Sequence, residues 1–282
     1  MDFQPYIDEL IALAIKEDIG DGDHTFLSCI PPDAKGKMKL LVKQEGILAG
    51  VEIAKQVFTT LDPEVKIEVL LKDGTPIKYG DVAFYVEGRV QSLLQAERLA
   101  LNLMQHMSGV ATQTNQYVKK LEGLKTKVLD TRKTTPGMRA LDKLAVKIGG
   151  GENHRMGLFD MILLKDNHID FAGGIENAIR KAQQYLKNIG RKLPIEVETR
   201  SLDDIRKAME VGGIQRIMLD NFNLEDTKKA VELINGEYET ESSGGINFDT
   251  IRAYAKCGVD FVSVGALTHQ IKSLDLSLKA VD

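Results

Sequence analysis

The charged residues between positions 130 and 170 are the first place where residue type and spacing could do chemistry. From Arg132 to Lys165 the chain carries seven lysines and arginines: Arg132, Lys133, Arg139, Lys143, Lys147, Arg155 and Lys165. Against them stand three acids, Asp142, Glu152 and Asp160, so the stretch has four excess positive charges in a chain of net charge −4. His154 and His168 fall in the same window. A positive field confined to one stretch of an acidic protein suits an anionic small molecule better than nucleic acid. The bland alternative is a set of solvated loop and helix tips. Lys133 and Lys165 have two functional readings, a Schiff-base nucleophile or a fixed charge for carboxylate or phosphate. The company of Arg132, Arg139 and Arg155 favours the fixed charge for a polyanion, although like charges also lower a lysine pKa. Forked guanidinium donors suit planar carboxylates.

Acids and glycines follow further along. Glu196 and Glu198 share one face of a strand, and Asp220 ends another apolar run. Near phosphate, Glu198 and Asp220 could hold a divalent metal, hydrogen-bond sugar hydroxyls or stabilise a developing cation. Ser243, Gly244 and Gly245 precede Asn247 and a predicted helix, where glycine admits close backbone approach and free amides bind phosphate. Ser263-Val264-Gly265-Ala266 repeats that arrangement, with His269 four residues past Gly265. His154 beside Arg155 reads as a ligand contact. His106 packs or caps locally, and His168 contacts the rim or fixes the Asp166-Asn167 loop. Arg98 sits among apolar helical positions, where a surface pair with Glu97 is the simple reading. No His/Cys/carboxylate set has zinc spacing, no P-loop occurs, and Gly149 to Gly151 do not begin a GxGxxG motif. Asp18, Asp21, Asp23 and His24 lack EF-hand spacing and read as a turn or helix-capping segment.

The elements that must position these residues can be read from periodicity. Residues 5–17 form an amphipathic helix, followed by an irregular loop through 18–32. Runs at 37–43, 65–71 and 81–88 read as strands, 51–61 as a helix, and 92–121 as one long helix. Beyond residue 124, apolar runs at 127–130, 146–149, 161–166, 195–198, 216–220, 238–243 and 261–265 alternate with helices. The helices are read at 176–190, 202–213, 223–236 and 248–258. Such alternation implies parallel strands with right-handed crossovers. Seven runs without a clear eighth suggest an incomplete (β/α) barrel, with its site at the C-terminal strand ends. Those ends are where the cations, carboxylates and glycines fall.

Bulk properties exclude several classes. At 282 residues and pI 5.8 the chain is neither a basic nucleic-acid binder nor too short for a barrel. Cys29 and Cys257 are far apart, form no CxxC, and are expected as buried thiols of a reducing compartment. The acidic amphipathic N-terminus is not a signal peptide and no run is of membrane-spanning length. A cytoplasmic enzyme is the default expectation.

With these residues assembled, the chain resembles the quinolinate phosphoribosyltransferase family. The resemblance runs over nearly the whole chain. It is most specific in ERLALNLMQHMSGVAT (97–112), DTRKTTPGMR (130–139), GGGENHRMGLFDMILLKDNHI (149–169), EVET (196–199), MLDN (218–221), SSGGI (242–246) and VGALTH (264–269). It implies an α/β fold with an N-terminal α/β sandwich domain over 1–112, with 270–282 packing back on it. An incomplete β/α barrel of type II phosphoribosyltransferase architecture follows over 113–269. The implied reaction joins quinolinate and phosphoribosyl pyrophosphate (PRPP), giving nicotinate mononucleotide, pyrophosphate and carbon dioxide in NAD synthesis. The quinolinate-binding cations match Arg98, Arg132, Lys133, His154, Arg155 and Lys165. The ribose and magnesium (Mg2+) carboxylates match Glu198 and Asp220. The PRPP phosphate turns match Ser243, Gly244 and Gly265, with His269 nearby. Lys133, Glu198 and Asp220 are the expected catalytic groups. The family also implies a homodimer in which Arg98 enters the partner's site.

Three rivals remain at this stage. A same-fold paralogue would act on another ring acid. A Schiff-base aldolase would be trapped by borohydride with a carbonyl substrate. A non-catalytic phosphate or nucleotide sensor would not consume quinolinate.

Overall fold

In the computed structural model residues 3–281 are described. They divide into two compact units, Met1–Asn115 with Thr134–Gly150 and Leu267–Asp282, and Gln116–Lys133 with Gly151–Ala266. No helix among the described residues is long and apolar enough to cross a membrane.

The chain opens with α1 (Gln4–Ile19), α2 (His24–Cys29), β1 (Lys35–Val42), β2 (Gly46–Ile47) and α3 (Val51–Leu61). Next come β3 (Lys66–Val69), β4 (Pro76–Ile77), β5 (Val82–Arg89) and α4 (Val90–Lys120). The expected irregular loop thus holds a short helix, because Asp23 caps it by accepting the Phe26 amide at 3.0 Å. Cys29, at the end of that helix, is exposed and Cys257 only half-buried, which corrects the expectation of two buried thiols. α3 buries Val51, Ala54, Val57 and Phe58, the three-and-four spacing of one helical face. Phe58 meets Phe84 of β5 edge-on, with ring centroids 6.2 Å apart.

The chain continues with β6 (Lys127–Leu129), α5 (Arg139–Ile148), β7 (Ile162–Leu164), α6 (Asp166–Ala172), α7 (Ile175–Ile189) and β8 (Ile195–Thr199). Then follow α8 (Leu202–Val211), β9 (Arg216–Asp220), α9 (Leu224–Ile234), β10 (Glu239–Ser243), α10 (Ile251–Lys256), β11 (Phe261–Ser263), α11 (Ala266–His269) and β12 (Leu276–Val281). In the first unit an antiparallel sheet runs β12-β1-β5-β3, with Leu278 opposite Leu40, so the last strand pairs beside β1. The run at 146–149 is no strand but the end of α5, and 134–150 belongs to the first unit. A four-residue apolar run cannot by itself separate a buried strand from one turn of a buried helix. Here Leu141 and Ala145 are buried one turn apart.

The second unit is a six-stranded parallel sheet, β6-β11-β10-β9-β8-β7, with β6 and β7 at its ends, so the barrel is incomplete. The segment at Glu152 bridges to Leu129 beyond β6. Ser243 is in register with Asp220, Thr199 with Leu219, and Ser263 with Leu129. That register brings the C-terminal strand ends to a common rim, and the amphipathic α7, α8 and α9 cover the sheet with buried Ile179, Ile205 and Ala230.

Candidate active site

The rim encloses a cavity of about 370 Å³. Arg132, Lys133, His154, Arg155 and Lys165 line one part of it; Glu198 and Asp220, then Ser243, Gly244 and Gly265, line the rest. Arg139, Lys143, Lys147, Arg98 and His269 lie in the first unit, and Lys143 is fully buried there.

Local hydrogen bonds explain the cationic part. Buried Asp130 accepts the His154 amide at 2.9 Å, while the Glu152 amide donates to the Val128 carbonyl at 2.9 Å. The loop ahead of β7 is therefore sewn to the end of β6, which also presents Arg132 and Lys133. Asp160 accepts the Met156 and Gly157 amides at 2.7 and 2.9 Å, closing the next turn. Arg155 Nη1 donates to the Met161 carbonyl at 3.2 Å. Burial and then the neighbouring Arg132 depress the pKa of Arg155. Such crowded cations are relieved by an incoming anion.

The carboxylates come next along the rim. Glu198 Oε1 accepts the Asp166 amide at 3.2 Å, and the Lys165 amide donates to His168 Nδ1 at 3.1 Å. Glu198 thus pins the start of α6, and His168 fixes the turn that carries Lys165. Burial, and then the charges of Asp220 and Asp166, raise the Glu198 pKa against the Asp166 hydrogen bond and Lys165. Two carboxylates whose charges oppose one another offer hard oxygen donors of the kind that could hold a divalent cation.

On the glycine side, Asn247 Oδ1 accepts the Asp249 and Thr250 amides at 3.0 and 3.2 Å, in the turn that leads into α10. Ser243, Gly244 and Gly245 line the cavity ahead of that turn. Gly244 has φ +93°, and a Cβ there would lie 2.2 Å from Asn221 Oδ1. Only glycine lets the two strand-end loops approach this closely.

Beneath the rim is a cluster that sequence reasoning passed over. His154 Nε2 lies 3.0 Å from Glu196 and 3.4 Å from Glu241, both fully buried. Arg216 Nη1 reaches Glu241 at 3.2 Å. Burial and then Glu241 raise Glu196 to about 7. Burial also acts upward on Glu241, but His154, Ser263 and Arg216 more than offset it and hold it low. Burial would lower His154, and the two carboxylates would lift it to about 9. However, the Arg155 amide donates to His154 Nδ1 at 2.7 Å, which requires a lone pair there. In this geometry the ring is neutral, with its proton on Nε2 toward the carboxylates. His154, read from sequence among the ligand-binding cations, lines the pocket with both ring nitrogens directed at protein groups. The same lone pair argues against a metal on Nε2, which would need the proton moved to Nδ1. Glu241 could have been found by counting back two residues from Ser243 along β10.

A larger hollow of about 600 Å³ opens at the opposite strand ends. Its lysines are paired with acids, Lys125 with Asp260 at 3.2 Å and Lys127 with Glu152 at 3.5 Å.

Fold and pocket together define an incomplete β/α-barrel protein with a charged cavity at its strand ends. Residues 23–108 match the N-terminal domain and residues 110–279 the C-terminal domain of quinolinate phosphoribosyl transferase. The chain belongs to the quinolinate phosphoribosyltransferase family. It is 44% identical over 285 residues to a chloroplastic nicotinate-nucleotide pyrophosphorylase [carboxylating] of Arabidopsis thaliana, covering 96% of this chain and 81% of that protein. It is 42% identical over 262 residues to a probable nicotinate-nucleotide pyrophosphorylase [carboxylating] of Bacillus subtilis, covering 93% and 89%. The crystal structure of NadC from Streptococcus pyogenes superposes with a TM-score of 0.93 at 40% identity, covering 100% of this chain and 99% of that one.

Proposed function

We propose that this chain transfers the phosphoribosyl group of PRPP to quinolinate with decarboxylation, forming nicotinate mononucleotide, pyrophosphate and CO2 in NAD biosynthesis. The observation that carries the reading is the meeting of Arg132, Lys133, Arg155 and Lys165 with Glu198 and Asp220 in one cavity. Four cations suit a ring dicarboxylate, and the acids beside them suit a sugar that becomes cationic.

The pyridine nitrogen attacks the anomeric carbon as the bond to pyrophosphate breaks. Glu198 and Asp220 stabilise the oxocarbenium character that develops, and orient the ribose hydroxyls. Ser243, Gly244 and Gly265 receive phosphate. Glu198 and Asp220 would hold Mg2+, which neutralises charge on the leaving pyrophosphate. The ring is now cationic and accepts the electron pair freed when the carboxylate beside the nitrogen leaves as CO2. Lys133 contacts that carboxylate and helps protonate the carbon it vacates.

The working form is a homodimer, with Arg98 of one protomer completing the quinolinate site of its partner. Supporting this, Arg98 is exposed and makes no ion pair among the described residues. The reaction belongs in the cytoplasm, consistent with two isolated thiols. The test is the loss of quinolinate absorbance. It should require PRPP and Mg2+ together, and consumption of quinolinate without PRPP, or none at all, would overturn the reading.

A further inference from the structure

The barrel interior of the second unit contains a connected set of charges that the reaction itself does not use. Arg216, at the start of β9, is anchored from the far end of the sheet. Its Nε and Nη2 donate to Glu239 at 3.1 and 2.9 Å, and its guanidinium lies over the Phe261 ring at 4.2 Å. Its remaining nitrogen, Nη1, points inward to Glu241 at 3.2 Å and is 3.9 Å from Glu196. Glu241 faces His154 Nε2, and His154 Nδ1 takes the amide of Arg155. A line of contacts therefore runs from one end of the barrel to the backbone of a pocket arginine.

We propose that Glu241 and Arg216 are positioning residues for the dicarboxylate half of the pocket, acting through the ring of His154 on Arg155. This rests on the quinolinate reading above. The physical case has three parts. A buried carboxylate needs compensation, and Arg216 supplies it from outside the pocket, so no substrate cation or metal is required. The ionised Glu241 then fixes which nitrogen of His154 carries the proton. That leaves Nδ1 as an acceptor and orients the Arg155 amide, much as a carboxylate orients a histidine in other active sites. Arg216 suits the task because its planar fork serves Glu239 and Glu241 at once, which a lysine cannot reproduce. Arg216 Nη1 at 3.2 Å favours the ionised form of Glu241.

The test combines kinetics with 15N spectroscopy of the histidine rings, using Glu241→Gln and Arg216→Lys. Wild-type turnover of quinolinate is measured first; its absence would sink the functional reading and leaves the spectroscopic arm to judge this proposal. With turnover present, Glu241→Gln should raise the quinolinate KM about tenfold, as loss of one charge-assisted contact would. The PRPP KM should stay near the parent value. The effect should vanish when Glu241→Gln is added to His154→Ala, since the two act on one line. The His154 ring should show its proton on Nε2 in the parent and a changed tautomer balance in the variant. If Glu241→Gln does not fold, Arg216→Lys carries the same expectations with the carboxylates intact. Equal effects on both substrates, additivity with His154→Ala, or a parent ring protonated on Nδ1 would overturn the proposal.

Discussion

Replacing Gly244 by alanine probes the narrowest point of the site. A Cβ at that position would stand 2.2 Å from Asn221 Oδ1, 2.6 Å from its Cγ and 2.8 Å from its backbone nitrogen. Asn221 has little freedom to retreat. Its amide donates to the Ser243 carbonyl at 2.9 Å, its φ is already +57°, and its Nδ2 donates to Asp220 at 2.6 Å. The positive φ alone costs alanine ~1–2 kcal/mol, and forcing atoms into filled space adds ~1–3 kcal/mol. The sum, about 2–5 kcal/mol, corresponds to a fall in thermal midpoint of about 3–8 °C for a chain of this size. Displacing Asn221 also pulls on Asp220, so the PRPP KM should rise more than the quinolinate KM. Gly245→Ala is the control: its φ is +62° but its Cβ would meet nothing within 4 Å. It should lose only the backbone part, ~1–2 kcal/mol. Calorimetry on both variants, with initial rates at varied PRPP, decides the matter. Equal midpoints for the two alanine variants, or a Gly244→Ala enzyme with the parent PRPP KM, would show that the contact with Asn221 does not limit the site.

Other perturbations test the remaining parts. Lys133→Ala should cut turnover about a hundredfold or more, in the range of lost proton-transfer catalysis; near-parental rates would remove Lys133 from the chemistry. Chelation should abolish turnover and added Mg2+ restore it, whereas a rate indifferent to chelator would remove the metal from the scheme. Glu196 is raised from 4.5 to about 7 on folding. The folded state therefore binds that proton more tightly, and its stabilising contribution is present below the unfolded value and lost as pH rises through about 7. Thermal midpoints measured from acid to neutral pH should decline more steeply in the parent than in Glu196→Gln; parallel profiles would refute the linkage. Arg98→Ala and Lys133→Ala should each be strongly impaired alone, and refolded together should recover up to about a quarter of parental activity through mixed dimers. No recovery on mixing would argue against a shared site.

Much of the barrel was legible because its signals are local. The runs at 161–166, 195–198, 216–220, 238–243 and 261–265 each hold a strand, and several of the helices between them carry an apolar stripe. The failures are local too. The run at 146–149 shares its composition with a strand but belongs to α5, whose buried face becomes visible only over several turns. Glu241 drew no attention because an acid inside a polar run, ETESS, gives no hydrophobic signal.

The sequence by itself determined the kinds of group available: a cation-rich stretch, paired strand-end acids and glycine turns in an otherwise acidic chain. Residue type and spacing of two or of three and four are properties of neighbouring positions, and they survive without knowledge of the fold. What only the tertiary structure decided is which of those groups meet. Register across parallel strands brings Arg132, Lys133, Arg155 and Lys165 to the acids from three separate places, and leaves Arg139, Lys143 and Lys147 in the other unit. It also sets Arg216 and Glu241 beneath His154, where burial makes their charges count. Distance and dielectric are properties of the packed chain, and no pattern along the sequence carries them.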